Sequence, residues 1–566
     1  MDKKGKPVVP RVTFQSDTVP IDLKPGETLM GAARLRSYAG KSSIEAPCGG
    51  KGRCGQCRVR VLDGRTNSPT ASEKRLLSPE ALSGGMRLAC QCVPETAVTV
   101  DIPPESRTGT MDLRIMDCEI EIPAGHPTGP LGLAVDLGTT KVAGFLVNLE
   151  TGGLLAAEGV MNPQIRFGAD IITRLTHAME SPKQARALSR LLLDCIGHLA
   201  DVLTHRVGLS SGCREIASVT VAANTAMHHL LLNWPVSQLC RAPYVPADTA
   251  PVEIPTRDLG LSFAKGARLY LIPPIAGFVG GDHTAMILAC GLHEADGIHL
   301  GLDIGTNTEL VLSHGGALFS CSCASGPAFE GAHLRQGVRA ISGAVHKVEL
   351  KEGGKILLNT IDERPPVGFC GSGVVDAVSE LVKHRIVNSF GMLDRDHPRV
   401  RVSPNRGEPE FVFARVEECH SSRDLVLTQG DICAVQLAKA AVATGILALL
   451  GAAGIDYRKI EKVMVSGAFG THLRIESAVT LGLLPALPAE RFIQVGNAAG
   501  KGARMVLSSF TQKQKAEKLA RTVTYLELAA LPHFGRSYSR ALKFTPPGSP
   551  GDFFSSASEM ESKDES

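Results

Sequence analysis

Two stretches of this chain share one pattern: Leu131 to Val147, LGLAVDLGTTKVAGFLV, and Ile298 to Leu312, IHLGLDIGTNTELVL. Each is an apolar run ending on an aspartate (Asp136, Asp303), then a glycine–threonine turn, then an apolar return. Such a pattern reads as strand, turn, strand. Two similar hairpins far apart in one chain suggest two related halves. Gly138 lets the backbone approach an anion that a Cβ would hinder. The hydroxyls of Thr139 and Thr140, the Lys141 ammonium and the turn N–H groups can bind phosphate, and the carboxylate can hold a hydrated Mg²⁺. One copy alone also fits a plain β-hairpin. Two copies facing each other could clamp a polyphosphate and its metal from both sides.

Further along, Val463 to Gly470 (VMVSGAFG) and Val495 to Gly502 (VGNAAGKG) are strands running into glycine turns that would let the backbone approach a nucleotide. Gly496 to Lys501 is not a P-loop, because a Walker A motif needs four residues between its first Gly and Gly-Lys. Asp-Leu-Gly-Thr-Thr, Asp-Ile-Gly-Thr-Asn-Thr and the glycine turn after Val465 resemble the two phosphate motifs and the adenosine motif of the actin/sugar-kinase/Hsp70 ATPase superfamily. The resemblance implies a duplicated RNase H-like fold. It assigns Asp136 and Asp303 to Mg²⁺ and water, and Gly138, Thr139, Thr140, Lys141, Gly305, Thr306, Asn307 and Thr308 to the phosphate turns. It assigns Gly467, Ala468, Gly496 and Asn497 to the adenosine.

Near the N-terminus stands APCGGKGRCGQCRVRV, with Cys48, Cys54 and Cys57 spaced C-x5-C-x2-C and a distant Cys90. Glycines 49, 50, 52 and 55 let this loop wrap an inorganic core with N–H groups aimed at sulfur. Zinc sites pair two short C-x2-4-C hooks. Three thiols on one glycine-rich loop plus an isolated fourth favour [2Fe-2S], with zinc and free thiols as the alternatives. Residues 11 to 24 alternate as a hairpin, Pro25 to Thr28 open a short helix, Arg58 to Leu62 read as a strand, and Ala97 to Ile102 as the last one. The segment resembles a plant- or adrenodoxin-type ferredoxin of β-grasp fold over about the first 103 residues. Leu-Ala-Cys-Gln matches that family's pattern at Cys90, which makes Cys90 rather than Cys92 the fourth ligand. Gly50-x-Gly52-x-x-Gly55 matches a dinucleotide fingerprint but lies inside the cysteine loop and is set aside.

At 566 residues the chain has room for several domains. Hydrophobic residues make up 43% and charged residues 21%, so large cores are possible and the composition argues against global disorder. A formal net charge of +3 with only 4% aromatics argues against nucleic acid or an anionic membrane as partner. The basic start, MDKKGKPVVPR, leads to no apolar segment and reads as no signal peptide. The uncharged run Ala440 to Ile455 is shorter than the ~20 residues a spanning helix needs and reads as a buried helix. Fifteen cysteines without an export signal point to thiols or metal ligands in a reducing cytoplasm.

Between these landmarks, Pro103 to Thr110 reads as a linker, followed by two short alternating runs (Leu113 and Ile115; Cys118, Ile120 and Ile122). Asn162-Pro163-Gln164 and Phe167 to Asp170 form a turn-rich patch for which a surface loop is the plain reading. Ser181-Pro182 opens a long helix with Leu188, Leu191, Leu192, Cys195, Leu199, Val202 and Leu203 on one face. Ile216 to Ala222 is a strand leading to Asn224 and the pair His228-His229, read as packed rather than metal-binding. Asp282 either positions Mg²⁺ or a water, or caps the helix after it. Gly371-Ser372-Gly373 at a helix start is a ready anion site or a cap. Lys439 either meets the nucleotide or ends a polar face. Cys321, Cys323, Cys370, Cys419 and Cys433 lack four-ligand spacing and read as structural. From about Thr545 the composition is low-complexity and reads as disordered.

Electron transfer needs ATP only when it must run uphill, so an iron–sulfur carrier joined to an ATPase suggests an ATP-driven electron pump. The order of parts, with Asn162-Pro163-Gln164, Asn224 to His228, Ser325 to Gly331 and Gly371 to Gly373, resembles the reductive activators of corrinoid proteins over residues ~11 to 535. That resemblance implies the cofactors [2Fe-2S], ATP and Mg²⁺. It implies reduction of cob(II)alamin on a methyl-transfer corrinoid protein to cob(I)alamin, an unidentified low-potential donor, a homodimer and a cytoplasmic location. The expected class is multidomain α/β and α+β. A ferredoxin-type domain (1–103) and a linker (104–130) precede two ATPase halves (131–297 and 298–535) and a mostly disordered tail (536–566). An activator of 2-hydroxyacyl-CoA dehydratases and a non-enzymatic redox-sensing module are the alternatives.

Overall fold

The computed structural model describes residues 10–15, 20–23, 26–38, 44, 52, 55, 57–103, 106, 129–168, 170–209, 212–332, 334–403, 407–419, 424–467, 469–544 and 553–554. By its internal contacts the chain divides into two units, Met1–Arg114 with Val160–Leu191, and Ile115–Gly159 with Leu192–Ser566. Residues 160–191 thus group with the N-terminal segment rather than with the rest of the region beginning at 131. Most of the expected linker, the two alternating runs after it and Cys118 lie outside the described residues.

The first unit contains β1 (Arg11–Phe14), β2 (Ile21–Asp22), α1 (Leu29–Tyr38), β3 (Arg58–Asp63), α2 (Ala71–Leu76), α3 (Pro79–Ser83), β4 (Met86–Leu88) and β5 (Val98–Asp101). The sheet order is β2-β1-β5-β3-β4. The first and last strands pair in parallel, with Val12 opposite Val98 and Phe14 opposite Val100, and the other pairs are antiparallel. Because side chains alternate along a strand, this register turns Val12, Phe14, Val98 and Val100 to one face. There they join Leu29, Val59 and Leu88 in a single core. The hairpin, the helix and the strands fall where the sequence places them.

Helices α2 and α3 were not expected. Each starts at a side-chain cap: Thr70 forms a capping box with Glu73, and Ser78 accepts from the N–H of Ala81. The buried Glu73 carboxylate is fully used, by Arg87 at 2.8 and 3.0 Å and by the N–H of Leu88 at 3.0 Å. The same unit holds α4 (Ile171–Met179) and the start of α5 (Pro182–Arg206). Asn162 and Gln164 are buried, and Gln164 donates to the Leu188 carbonyl at 3.0 Å. The surface-loop reading of Asn162 to Gln164 is therefore corrected, because a 3-10 turn folds these amides inward.

The second unit carries two six-stranded sheets. One has β6 (Leu131–Leu137), β7 (Lys141–Asn148), β8 (Leu154–Met161), β9 (Ile216–Ala223), β10 (Val252–Pro255) and β11 (Arg268–Leu271), in the order β10-β11-β9-β6-β7-β8. It also holds α6 (Thr225–Leu232) and α7 (Gly281–Ala289). The other sheet begins with β12 (His299–Ile304), β13 (Thr308–His314) and β14 (Ala317–Cys323). Two three-stranded sheets follow: β15 (Ala344–Leu350), β16 (Ile356–Thr360) and β17 (Gly368–Phe369), then β18 (Val400–Val402), β19 (Pro409–Ala414) and β20 (Leu425–Thr428). The second large sheet is completed by β21 (Lys462–Ser466), β22 (Phe492–Gly496) and β23 (Thr524–Tyr525), in the order β22-β21-β12-β13-β14-β23.

The two large sheets repeat one arrangement. An antiparallel hairpin, β6–β7 or β12–β13, carries the Asp-Gly-Thr turn, and its first strand pairs in parallel with a later strand, β9 or β21. This is the duplicated actin-like ATPase fold that the resemblance implied. The remaining helices are α8 (Gly371–Lys383), α9 (Val416–Cys419), α10 (Gln429–Ala453), α11 (Ile475–Thr480), α12 (Ala498–Ser508), α13 (Phe510–Thr522) and α14 (Phe534–Ala541).

Helix α10 is long and apolar enough to cross a membrane by length and composition alone, yet 72% of its most apolar window is buried against the protein. That is the buried helix expected for Ala440 to Ile455. The mostly disordered tail expected from 536 is corrected where the structure describes it. Helix α14 spans that boundary, and Phe544, Phe553 and Phe554 are buried in the same core as α10. Lys439 is also corrected: it is buried, its Nζ donates to the carbonyl of Lys543, and it lies over the Phe544 ring.

Candidate functional site

The turns after β6 and β12 carry the chemistry of the second unit. Gly138 is required by space, since a Cβ there would stand 2.7 Å from the Lys141 carbonyl oxygen. Gly467, in the turn after β21, has a φ of +93°, and a Cβ on it would meet the Asp303 carboxylate at 2.7 Å. The third glycine turn therefore lies directly against the second aspartate. Gly467 donates to the Gly496 carbonyl at 3.1 Å, which joins the two glycine turns assigned to the adenosine. Ala468 lies outside the described residues.

Asp136, Asp303 and Asp282 form one electrostatic group. Burial pushes Asp136 up to about 6, against a hydrogen bond from Asn497 that lowers it. Burial and then the charge of Asp136 push Asp303 up to about 7. Burial, Asp303 and Asp136 push Asp282 up to about 7. Glu309, behind them on β13, is raised by burial, Asp282 and Asp303, and accepts from Ser322 at 3.1 Å. Buried like charges that raise one another in this way are relieved by a counter-charge. A divalent cation meets that need, and Mg²⁺ takes one or two carboxylates while keeping its waters. Asp282 does not cap α7: Gly280 holds that position, and Asp282 accepts from the N–H of His283 inside the first turn.

The hydroxyls divide into two kinds. Thr140 donates to Glu330 Oε2 at 3.3 Å and Thr306 to Glu330 Oε1 at 2.7 Å. Thr139 accepts from Asn224 Nδ2 at 3.0 Å. Lys141 stands among the charges of Glu330 and Arg339, and burial lowers its pKa. Thr308, by contrast, is fully buried and bonded to Ser325 at 2.9 Å, so it belongs to the support of the turn rather than its face. Asn497, assigned to the adenosine by resemblance, bridges the first aspartate and α12 in this structure. Its Nδ2 donates to Asp136 at 2.8 Å, and its Oδ1 caps α12 by accepting from Gly500 N–H at 2.6 Å.

Gly371 and Gly373 are glycines for packing. A Cβ on them would stand 1.8 Å from the Phe329 carbonyl oxygen and 1.9 Å from that of Val345. Ser372 is buried beside Cys370. Gly371 therefore packs against the Ser325–Gly331 segment and Gly373 against β15, and the anion-site reading gains nothing from these contacts. Sequence reasoning gave no role to Asn224, Glu309 or Glu330. Their one local signal is that Asn224 precedes a helix and Glu330 lies in a Gly- and Pro-rich stretch.

In the first unit, Cys57 Sγ lies 3.3 Å from Cys90 Sγ. Two thiolates on one tetrahedral metal with bonds of ~2.3 Å would stand about 3.8 Å apart, so this pair fits ligands drawn to a common core. Gln91 Nε2 points at Cys90 Sγ from 3.7 Å, and its Oε1 accepts from Thr70 at 3.5 Å. Cys92 is fully buried in the apolar core, where burial pushes its thiol up to about 11. Cys48 and Cys54 lie outside the described residues; among these no three His, Cys, Asp or Glu side chains are grouped to hold a metal, so the Mg²⁺ reading above rests on two carboxylates, Asp136 and Asp303.

Three family descriptions match the chain: the 2Fe-2S iron–sulfur cluster binding domain over 12–95, the RACo middle region over 131–295, and the C-terminal domain of RACo, the ASKHA domain, over 297–550. Fold and site together define a ferredoxin-type iron–sulfur domain joined to an actin-like ATPase. A curated relative, the corrinoid activation enzyme RamQ of Eubacterium limosum, is 32% identical over 426 residues, which are 74% of this chain and 71% of that protein. The chain belongs to the RACo family of corrinoid activation enzymes. The [Co(II) methylated amine-specific corrinoid protein] reductase of Methanosarcina barkeri is 22% identical over 445 residues, 74% of this chain and 78% of that protein. A solved structure of a reductive activator for corrinoid, iron–sulfur protein matches with a TM-score of 0.67 at 30% identity, covering 95% of this chain and 98% of that one.

Proposed function

We propose that this protein is an ATP-dependent reductive activator of a corrinoid protein, returning its cob(II)alamin to cob(I)alamin by one electron. The observation that carries the reading is the match to a solved reductive activator over 95% of the chain, through both the cluster-bearing part and the ATPase. Cys57 and Cys90, with Cys48 and Cys54 from the same glycine-rich loop, would hold a [2Fe-2S] cluster. When bound, that group supplies one electron at low potential.

Asp136 and Asp303 would hold Mg²⁺, with Asp282 beside them; the ion supplies charge neutralisation for the phosphoryl oxygens. Thr139, Thr140, Thr306, Asn307 and Lys141 grip the phosphates, and the Gly467 and Gly496 turns admit the adenosine. Co(I) lies below the usual reach of a ferredoxin-type donor, so something must pull the transfer. Closure of the two Asp-Gly-Thr turns on ATP and their release after hydrolysis give two states of the ATPase. Those states can drive the transfer only by gripping the corrinoid partner with different affinities. The reading includes a low-potential external donor, a homodimer and a reducing cytoplasm.

The test is anaerobic. The reconstituted protein, a Co(II) corrinoid protein and a reductant able to reduce the cluster are mixed, and cob(I) absorbance is followed with and without ATP–Mg²⁺. Cob(I) is expected only with ATP. Equal formation without it would reduce the ATPase to a regulatory part, and none with several corrinoid proteins would favour a different acceptor.

A further inference from the structure

Glu330 is the meeting point of the two phosphate turns. Thr140 belongs to the first and Thr306 to the second, and each has a single hydroxyl proton to donate. Both protons go to one carboxylate, Thr140 to Oε2 at 3.3 Å and Thr306 to Oε1 at 2.7 Å. The charge of the same carboxylate favours the Lys141 ammonium, against burial and the charge of Arg339. A triphosphate clamped between these turns needs those same hydroxyls and cations. It also brings negative charge against a carboxylate in a recess where screening is weak.

We infer that the carboxylate of Glu330 competes with the terminal phosphate of ATP for Thr140 and Thr306, so that ATP, and not ADP, releases the Ser325–Gly331 segment as the ATPase's nucleotide sensor. This rests on the ATP-dependent reading above and names the element through which ATP acts. The segment is placed to transmit its release. Gly326 donates to the Thr306 carbonyl at 2.9 Å, and Ser325 Oγ to that of Gly305 at 3.1 Å, so one end is tied to the second phosphate turn. Phe329 stacks on Phe469, just past the Gly467 turn, with ring centres 5.0 Å apart and planes 11° from parallel. The Phe329 carbonyl sits against Gly371, the first residue of α8, too close to admit a Cβ. A shift of Glu330 therefore reaches the adenosine turn and α8 through packed groups with little room to absorb it.

Two measurements on the full-length protein test this. Calorimetry compares ATP–Mg²⁺ and ADP–Mg²⁺ binding to the wild type and to Glu330→Gln, which keeps the shape and removes the charge. If occupancy of the hydroxyls by the carboxylate limits the competent fraction, ATP affinity rises about tenfold in the variant and ADP affinity less than about twofold. Amide hydrogen exchange on the wild type should show faster exchange in 325–331 and the first turn of α8 with ATP–Mg²⁺ than with ADP–Mg²⁺. Unchanged ATP affinity in the variant, or exchange that responds equally to both nucleotides, would overturn the proposal. So would a collapse of kcat at constant affinity, which would make Glu330 a catalytic group acting on water. A wild type that binds no ATP at all would overturn the ATP-dependent reading itself, and this proposal with it.

Discussion

Asn497 donates from Nδ2 to the Asp136 carboxylate at 2.8 Å, joining residues 361 positions apart in the chain. The bond favours the ionised carboxylate, and it works against burial, which pushes Asp136 up to about 6. Replacing Asn497 by Ser keeps a side chain able to cap α12 but too short to reach Asp136. The Asp136 pKa should then climb further. If Asp136 must be ionised for turnover, the acid limb of the ATPase pH profile moves to higher pH by about half to one unit. An unmoved acid limb would separate Asp136 from the titrating step.

Much of this arrangement was legible because it is local. Asp136, Gly138 and the threonines after it announce a hairpin and an anion turn by composition alone, and Cys54 to Cys57 announce a thiol loop by spacing. The bonds of Asn497 and Glu330 were not legible, since each joins residues that only the folded sheets bring together. Helices α2 and α3 are short and gain their hold from Thr70, Ser78 and the buried Glu73–Arg87 pair rather than from an apolar stripe. Phe544, Phe553 and Phe554 were misjudged because Gly, Pro and Ser around them outweighed three aromatic side chains that reach the core beneath α10.

Asp303 carries a test with a worked sign. Its pKa is raised from near 4 unfolded to about 7 folded. The unfolded chain therefore loses this proton first as pH rises. The cost to stability is absent below pH 4, grows between 4 and 7, and is complete above 7. Asp303→Asn should raise Tm at pH 8 by a few degrees, and by almost nothing at pH 4. Its ATP turnover should be lost and its cluster absorbance kept. Intact turnover would remove Asp303 from the metal site.

Cys57 and Cys90 are already within 3.3 Å, and burial raises the Cys92 thiol to about 11. Cys90→Ser should abolish the visible absorbance of the reconstituted cluster, and Cys92→Ser should leave its spectrum in place. A cluster spectrum that survives the first change and not the second would exchange the two ligands.

Gln91 supplies an N–H to the Cys90 sulfur at 3.7 Å. A donor to sulfur stabilises the more negatively charged, reduced cluster more than the oxidised one. Gln91→Leu should therefore make the midpoint potential more negative, read by a redox titration followed by EPR. A midpoint equal to that of the wild type would mean that the amide does not act on the cluster.

Lys439 is 1% exposed, and burial pushes its ammonium down to about 7. Here the sign is opposite to that of Asp303. Unfolded, the amine holds its proton up to about 10.4; folded, it gives it up near 7. Stability therefore rises with pH across that window, and the cost of burying the charge is complete below 7. Lys439→Met replaces the amine with an apolar chain of similar length beneath Phe544. It gives up the bond to the Lys543 carbonyl. The net gain should be about 1–3 kcal/mol at pH 6.5, shrinking as pH approaches 10. Thermal unfolding of both proteins across pH 6 to 10 checks it. A loss of stability at every pH would show that Lys439 anchors the segment after α14 through its hydrogen bond more strongly than its burial opposes folding.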